Sequence, residues 1–343
     1  MRHIDPCGSE VARLKCRMRV LLVKLSSLGD VIHNLPVATD LAQALPGIEI
    51  DWLTEAPYAE LVALHPAVRN AFPVHLRHLK KHWWSPAAWD EWRADRRRVG
   101  GQEFDRALDT QGLLKSAWVA RWANVPISGY AAASAREPMA ARFYTQLFDV
   151  PRDLHAVTRN RRLAAQAFGY ELPADIDYGL RVSMSAPAWL PPEPFAVFLH
   201  GTSRADKLWP EAHWITLGRE LHAHGLQVLL PWGSAAERVV AEKLAGAIPQ
   251  ASVAPAMSLV EAAGMLARAT AVIGVDTGLA HLAVALQRPT VGIYLTTSPR
   301  LTGLAGGTNA VNLGDGSPAK PDCPPVDAVL AALQPLLNKS ASA

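Results

Sequence analysis

The segment Arg19-Val-Leu-Leu-Val-Lys-Leu-Ser-Ser-Leu-Gly-Asp30 decides the fold. Its four consecutive apolar residues, 20–23, are typical of a short strand buried on both faces of a parallel sheet. A polar loop follows, and a helix is predicted from about Val31, with apolar residues recurring as far as Leu45. Strand, loop and helix in this order indicate the first unit of an α/β domain.

The same alternation continues along the chain and predicts two open, doubly wound sheets. In the first half, strands are expected at 48–53, 71–74, 104–108 and 126–129, and helices at 86–98, 113–123 and 137–148. In the second half, strands are expected at 195–199, 227–230, 271–275 and 290–294, and helices at 211–224, 235–247, 259–267, 279–286 and 325–337.

A Pro-rich polar stretch at 183–194 separates the two runs and is typical of an interdomain linker. We therefore predict two Rossmann-like domains, 18–182 and 195–337, whose strand-end loops face a central cleft. Residues 1–17 lack an apolar period and are expected to be a disordered extension or a mis-assigned start, with Met18 as the alternative initiator. Residues 338–343 form a small polar tail.

Composition excludes several classes of protein. Of 343 residues, 50% are hydrophobic and 19% are charged, which excludes wholesale disorder. Three cysteines cannot make a disulfide framework or a four-cysteine zinc site, and they fit a reduced, cytoplasmic protein. No run of 18 apolar residues is present, which excludes a transmembrane helix.

The net charge of +3 conceals an asymmetry between the halves. Residues 69–162 contain 17 Lys and Arg against 9 Asp and Glu, whereas residues 181–343 contain 11 of each. A basic first half indicates either a domain that meets an anionic partner or merely a solvated basic surface.

Three polar loops join predicted strands to helices. In the first, Asp30 could be a helix N-cap or a general base. In the second, 200–210, the hydroxyls of Thr202 and Ser203 and the cation of Lys207 could hold a phosphate, although a solvated loop has the same composition.

The third loop, 274–282, contains Asp276-Thr-Gly278 at the start of a predicted helix. Backbone N–H groups at a helix start favour an anion, and Gly278 permits close approach to a ligand. His281, one turn into the helix, could be structural or a ligand contact. A single Asp-Thr-Gly loop in an α/β setting does not fit an aspartic protease.

Other motifs are absent or weak. The sequence has no G-x-G-x-x-G, P-loop, G-x-S-x-G or H-E-x-x-H pattern, and Asp175-x-Asp177 lies in a loop near the linker, away from any strand end. Trp83-Trp84 beside basic residues could contact a nucleic acid, a membrane or an anionic acceptor. The neutral second half weighs against nucleic-acid binding.

The loops together resemble the bacterial lipopolysaccharide heptosyltransferases. The resemblance covers about 18–337 and rests on Lys24-x-Ser-Ser-Leu-Gly-Asp-Val-Ile-His-x-Leu-Pro36, on residues 109–116 and 135–138, and on the motifs at 198–210, 231–233 and 275–282. Gly201 stands where alanine is expected. Residues 109–112 and 135–138 favour the subfamily that adds the first heptose to Kdo-lipid A.

The resemblance implies a GT-B fold, ADP-L-glycero-β-D-manno-heptose as donor, inversion at the anomeric carbon, and neither metal nor cofactor. It places the catalytic base at Asp30 and a catalytic cation at Lys207. It also implies donor contacts from Ser27, Gly29, Thr202, Ser203, Glu237, Met257, Asp276, Thr277, Gly278, Leu279 and His281.

The acceptor contacts are expected from cations and one amide of the basic half, because Kdo carries a carboxylate and lipid A carries phosphates. They are Arg77, Lys80, Lys81, Gln111, Lys115 and Arg136. Peripheral contact with the cytoplasmic face of the inner membrane is expected near Trp83 and Trp84. A heptosyltransferase that acts later in core synthesis and a non-catalytic nucleotide-sugar binding protein remain the alternatives.

Overall fold

The structure is a computed structural model that describes residues 18–182, 187–192, 194–202, 204–316 and 323–341. Residues 1–17, four residues of the predicted linker (183–186) and Ser203 lie outside the described residues, as do residue 193 and residues 342–343 of the tail. The chain divides into two compact units. Among the described residues, the first contains 18–26, Pro36–Arg152 and Asn160–Pro173, and the second contains Ser27–Leu35, Asp153–Arg159 and the described residues from Ala174 onward.

Each unit contains a six-stranded parallel sheet of the same topology. The first has the order β3-β2-β1-β4-β5-β6, and the second has the order β12-β11-β10-β7-β8-β9. The strands of the first are β1 (Arg19–Val23), β2 (Glu49–Glu55), β3 (Val68–Val74), β4 (Arg106–Asp109), β5 (Ile127–Tyr130) and β6 (Gln146–Phe148). Those of the second are β7 (Phe195–Leu199), β8 (Gln227–Leu230), β9 (Ser252–Val253), β10 (Ala271–Val275), β11 (Thr290–Ile293) and β12 (Ala310–Leu313).

Helices connect these strands. From the N-terminus they are α1 (Leu28–Ile32), α2 (Leu35–Ala44), α3 (Ala56–Val62), α4 (Leu76–Lys81), α5 (Pro86–Gly100), α6 (Leu114–Ala120) and α7 (Ala156–Phe168). They continue with α8 (Glu211–Ala223), α9 (Ala235–Ala247), α10 (Leu259–Leu266), α11 (Gly278–Ala285), α12 (Pro299–Thr302) and α13 (Val326–Ala341). Helix α1 belongs to the second unit, although its sequence lies within the range predicted for the first domain.

The strand order of each sheet reverses next to its first strand, and ligands of open α/β sheets bind outside the carboxyl ends of the strands at this point. In the first unit, Val23 of β1 is in register with Asp109 of β4. In the second, Leu199 of β7 is in register with Gly274 of β10. The loops that begin after these residues are therefore neighbours within each unit.

An apolar core packs against each sheet. In the first unit it includes Leu21, Val23 and Phe104, and in the second Phe198, Trp214 and Ile273. Full burial of one such side chain contributes about 1.5–3 kcal/mol. These cores hold the strand ends, and hence the loops after them, in fixed positions.

One predicted helix is wrong. Residues 137–148 form a 3₁₀ segment, Pro138–Phe143, followed by β6. The cause is tertiary, because Tyr144 donates a hydrogen bond to Asp109 Oδ2 (2.8 Å) and Thr145 Oγ1 accepts one from Ile127 N (2.6 Å), contacts that hold this stretch extended beside β5. The helix predicted from Val31 begins three residues earlier, at Leu28, and is interrupted before α2.

Candidate functional site

Loops after β7 and β10 bring two charged side chains together in the second unit. Lys207 Nζ lies 2.6 Å from Asp276 Oδ2, and Thr202 Oγ1 donates a hydrogen bond to the Asp276 carbonyl (3.2 Å). Thr297 Oγ1 also donates to Asp276 Oδ2, at 2.6 Å. Residues 69 positions apart thus form one polar cluster at the carboxyl end of the sheet.

The carboxyl group of Asp276 is held ionised. Burial by itself raises its pKa, but the nearby His281 ring and the hydrogen bonds from Lys207 and Thr297 outweigh burial and bring the pKa far below its ordinary value. His281 Nε2 lies 3.9 Å from Asp276 Oδ1, on the oxygen that Lys207 and Thr297 leave open. Asp276 is therefore a fixed negative charge that orients the Lys207 ammonium.

Thr277, the residue after Asp276, is the N-cap of α11, and Gly278 is its first helical residue. Within the part of the chain that the structure describes, the Thr277 side chain makes no cap hydrogen bond. The turn formed by Thr277, Gly278 and Leu279 is half-buried. Its amides provide partial positive charge beside the Lys207 cation.

Helix α1 packs directly on this first turn of α11. A Cβ on Gly278 would lie 2.7 Å from Leu28 Cδ2, and a Cβ on Gly29 would lie 3.3 Å from His281 Cδ2. Two glycines therefore permit the close approach of the two helices. The approach places the helix that carries Asp30 beside the Asp276 cluster, within one unit.

The structure corrects the interpretation of Asp30 as an N-cap. Ser27 is the N-cap of α1, and Asp30 is the third helical residue. Asp30 Oδ2 accepts hydrogen bonds from Ser27 N (2.9 Å) and Ser27 Oγ (3.2 Å). No partner for Oδ1 is found within the described parts of the chain, so one carboxylate oxygen is oriented by its neighbour and the other is available to a ligand.

Glu237, in the first turn of α9, approaches the loop after β7. Its Oε2 accepts a hydrogen bond from Gly233 N (2.7 Å), and a Cβ on residue 201 would lie 2.6 Å from its Cδ. The glycine at 201, where alanine was expected, therefore leaves room for this carboxylate.

A cavity of about 440 Å³ opens beside Glu237. It is bordered by Gly201, Thr202, Trp209 and Val240 among others. Met257 is half-buried in the loop between β9 and α10 and is not among the residues that border this cavity.

The predicted acceptor residues lie in the first unit, at two places along its sheet. Gln111 follows β4 and is buried, with Oε1 accepting from Leu25 N (2.6 Å) and Nε2 donating to Ser26 O (3.0 Å). Lys115 donates to Ser26 Oγ at 2.9 Å. The backbone N of Arg136 would lie 3.3 Å from a Cβ on Gly112, one residue beyond Gln111.

Arg77 is at the second place, on α4, beside a buried carboxyl that sequence reasoning missed. Glu55, the last residue of β2, is 1% exposed and has a raised pKa because burial outweighs the opposing effects of Arg77, Lys115 and His75. Glu55, Arg77, His75 and His78 border a cavity of about 360 Å³. The influence of both Arg77 and Lys115 on Glu55 indicates that the two cations lie on one side of the unit.

Lys80 and Lys81 are exposed on α4 and precede an exposed aromatic pair. Trp83 and Trp84 have exposed fractions of 66% and 68%. Their rings are 6.1 Å apart and nearly perpendicular. Exposed cations and exposed indole rings thus occur together within residues 80–84, and we call this stretch the Trp–Lys surface.

Sequence reasoning also missed Thr297 and His33. Thr297 lies in the loop after β11, where no motif marks it, although its place at a strand end was a usable indication. His33 was part of the quoted Lys24–Pro36 motif but received no role, and it hydrogen-bonds to His281 across α1 and α11.

Among the residues that the structure describes, no group of three or more His, Cys, Asp or Glu side chains is arranged to hold a metal ion. No helix in the same ranges is long and apolar enough to cross a membrane.

Comparison with known proteins identifies the family. Residues 92–328 match the profile of glycosyltransferase family 9 (heptosyltransferase). The chain therefore belongs to this family and is a glycosyltransferase. The particular relatives include lipopolysaccharide heptosyltransferase 1 of Pseudomonas aeruginosa, 48% identical over 306 residues that cover 89% of this chain and 86% of the relative.

Lipopolysaccharide heptosyltransferase 1 of Escherichia coli K12 is 41% identical over 288 residues, with 83% and 90% of the two chains covered. Among solved structures, E. coli heptosyltransferase WaaC with ADP has a TM-score of 0.84 and 38% identity, covering 92% of this chain and 99% of that one. The resemblance drawn from the loop motifs and the predicted GT-B fold are thus confirmed.

Proposed function

We propose that this chain transfers L-glycero-D-manno-heptose from ADP-L-glycero-β-D-manno-heptose to the Kdo of Kdo-lipid A, with inversion and without a metal ion. The observation that carries the proposal is the approach of α1 to α11, since it packs the helix that carries Asp30 against the helix that begins two residues after Asp276, the partner of Lys207. A base and a leaving-group cation are the two groups such a displacement requires.

Asp30 is the proposed general base. Its Oδ1 would accept the proton of a Kdo hydroxyl as that oxygen attacks the anomeric carbon of the heptose. The bond between this carbon and the diphosphate oxygen breaks on the opposite face, so the anomeric configuration inverts. The hydrogen bonds from Ser27 to Oδ2 fix the carboxylate, so that little reorganisation is needed during the attack.

Lys207 and the first turn of α11 would stabilise the departing ADP. Negative charge develops on the bridging diphosphate oxygen, and the Lys207 ammonium with the amides of Thr277, Gly278 and Leu279 can balance it. These groups supply the charge that a divalent cation provides in other transferases, which is why we propose a metal-independent reaction.

The cavity beside Glu237 is the proposed site of the nucleoside. Its volume of about 440 Å³ is within the range of small-molecule sites. Glu237 would accept hydrogen bonds from ribose hydroxyls, and Thr202 and Ser203 would hold the phosphates. Met257, which does not border this cavity, is proposed to contact the adenine at a point outside it, and Asp276 and His281 are proposed as contacts to the sugar.

The cations of the first unit are proposed to bind the acceptor. Their positive charge is complementary to the Kdo carboxylate and the lipid A phosphates; they are Arg77, Lys80, Lys81, Lys115 and Arg136. Gln111 would donate or accept one hydrogen bond at the same surface. The Trp–Lys surface is proposed to contact the cytoplasmic face of the inner membrane, where indole rings and lysines are both favourable.

The identity values favour the first transfer over a later one. Heptosyltransferase 2 of E. coli K12 is 25% identical over 311 residues, against 41% for heptosyltransferase 1 of that strain. A binding protein without catalysis would have no need of an oriented carboxylate with an open oxygen at Asp30. Nucleic-acid binding receives no support from the site.

The test offers the enzyme ADP-heptose with either Kdo-lipid A or heptosyl-Kdo-lipid A, in EDTA, and measures ADP release and product mass. The proposal predicts ADP release and a gain of one heptose with Kdo-lipid A only. Transfer only to the heptosylated acceptor would assign a later step. Bound ADP-heptose with no transfer to either would indicate a binding protein, and activity lost in EDTA but restored by a cation would overturn metal independence.

A further inference from the structure

A buried series of polar side chains leads away from Asp276. His281 Nε2 lies 3.9 Å from Asp276 Oδ1, and His281 Nδ1 lies 3.1 Å from His33 Nε2. The two imidazole rings meet nearly edge to face, with centroids 4.4 Å apart. His33 is 2% exposed and His281 is 5% exposed, so water does not compete for this hydrogen bond.

The Asp276 carboxylate determines where the protons lie. A negative oxygen favours an N–H over a lone pair at His281 Nε2. A neutral His281 protonated on Nε2 has a lone pair on Nδ1, which must accept a hydrogen bond because it is buried. For that tautomer of His281, the group within reach is His33 Nε2, which is then the donor.

From this geometry we propose that His33 is a positioning residue of the transfer reaction, acting by donating to His281 Nδ1 and thereby fixing the tautomer and ring orientation of His281. The inference rests on the proposed function for its effect on turnover, but the tautomer itself is a property of the unliganded protein. The arrangement is comparable to metal-binding histidines whose second nitrogen is fixed by an outer partner.

The role is positional for two reasons. His281 lies between His33 and Asp276, so His33 reaches the cluster through another side chain. His33 is also the C-cap of α1, the helix that carries Asp30, and its bond to His281 joins α1 to α11. Loss of this bond would leave the His281 ring free to turn. That ring packs closely on α1, since its Cδ2 lies 3.3 Å from the position of a Cβ on Gly29.

A third histidine, His155, packs against His33 at the end of the series of side chains that is farthest from Asp276. The His155 ring packs against His33, with centroids 5.4 Å apart, and His155 Nε2 donates to the Gly303 carbonyl at 3.0 Å. Burial lowers the pKa of His155, with a smaller contribution from His281, although the Gly303 bond opposes the change. At neutral pH the ring next to His33 is therefore uncharged, and the direction of donation is set by Asp276.

The experiment compares wild type with His33→Phe and His33→Gln. Phe removes the donor, whereas the Gln amide keeps an N–H at a similar reach. Ring-¹⁵N-labelled histidine spectra report the His281 tautomer without any substrate. We expect the Nε2–H form in wild type and His33→Gln, and a mixture with the Nδ1–H form in His33→Phe.

Steady-state kinetics supply the second readout. The kcat of His33→Phe is expected to fall about 10- to 100-fold, as for other outer partners of a functional histidine, with KM for the acceptor unchanged. His33→Gln should recover most of kcat. His65→Gln, which alters another buried histidine in the first unit, controls for the loss of a buried ring.

An unchanged His281 tautomer in His33→Phe would overturn the inference. So would equal losses of kcat in the Gln and Phe variants when their melting temperatures match. Suppose instead that wild type shows the Nε2–H form of His281 and His33→Phe loses it, while neither wild type nor any variant transfers heptose. In that case the positioning of His281 by His33 stands and the proposed function fails.

Discussion

Lys207 and Asp276 form an ion pair, 2.6 Å between Nζ and Oδ2, across two loops that follow neighbouring strands. The carboxylate of Asp276 is already tied to Thr297 and faces His281, so it has little freedom to move. Lys207 has the flexible four-carbon stem of a lysine, so its ammonium can turn toward a diphosphate that enters the same cluster.

Lys207→Met should lower kcat/KM for ADP-heptose by about 10²–10³-fold, because it removes a charge that balances the leaving group. Steady-state assays measure the loss, and melting temperature reports folding. Lys243→Met is the matched control, since Lys243 pairs with Glu211 on an exposed surface. Equal activity of Lys207→Met and Lys243→Met would contradict a role in departure of ADP.

Glu55→Gln should make stability less dependent on pH. The folded-state pKa of Glu55 is raised by burial, so the stability it contributes is present in acid and lost as the pH rises above its unfolded value of about 4.3. Melting curves between pH 4 and 8 should show Glu55→Gln gaining on wild type as the pH rises. Glu60→Gln, an exposed substitution on α3, is the control for the loss of one surface charge. If the stability of both variants depends on pH in the same way, the raised pKa of Glu55 is refuted.

Gly278→Ala should displace α1, because the new Cβ would lie 2.7 Å from Leu28 Cδ2. A shift of about 1 Å in the helix that carries Asp30 can cost about 10²-fold in kcat. Gly246→Ala, in α9 with no atom within 4 Å of the new Cβ, is the control and should keep full activity. Leu28→Gly in the Gly278→Ala background removes every Leu28 side-chain atom that the new Cβ would meet, Cβ at 2.8 Å included, and should restore most of kcat. Failure of this rescue would count against the packing argument.

Trp83→Ser combined with Trp84→Ser should weaken binding to vesicles that contain anionic lipid, because the two rings are largely exposed beside Lys80 and Lys81. Co-sedimentation measures binding, and transfer to a deacylated, soluble acceptor should change less than twofold. Leu147→Ser alters another exposed apolar residue and should bind as wild type does. Undiminished sedimentation of the double variant would exclude the Trp–Lys surface as the contact.

Apolar runs predicted the fold well where strands are buried on both faces. Residues 195–199 and 271–275 are β7 and β10 as expected. Two helices were not predicted: α4, which has no buried residue, and α7. At 137–148 a distant contact, from Tyr144 to Asp109, overrode a helical pattern that is local.

For the functional site too, local sequence patterns were predictive and properties that depend on distant contacts were not. Strand-end loops indicated Asp276, Lys207 and Thr202, because topology brings such loops together whatever lies between them. Glu55 was not found, because its character comes from burial beside Arg77, a property absent from its sequence neighbourhood. Assignment of roles to Asp30 and Lys207 came from the family resemblance, since position at a helix start alone also fits a cap.

The most direct test of the central claim is the rate of ADP release by Asp30→Asn, in EDTA, with ADP-heptose and Kdo-lipid A, beside the affinity of the variant for ADP. Asn keeps the shape of the side chain and a hydrogen-bond acceptor for Ser27 but cannot take a proton. The account predicts a loss of about 10²–10⁴-fold in turnover with ADP binding unchanged. Turnover within a few-fold of wild type would contradict Asp30 as the base.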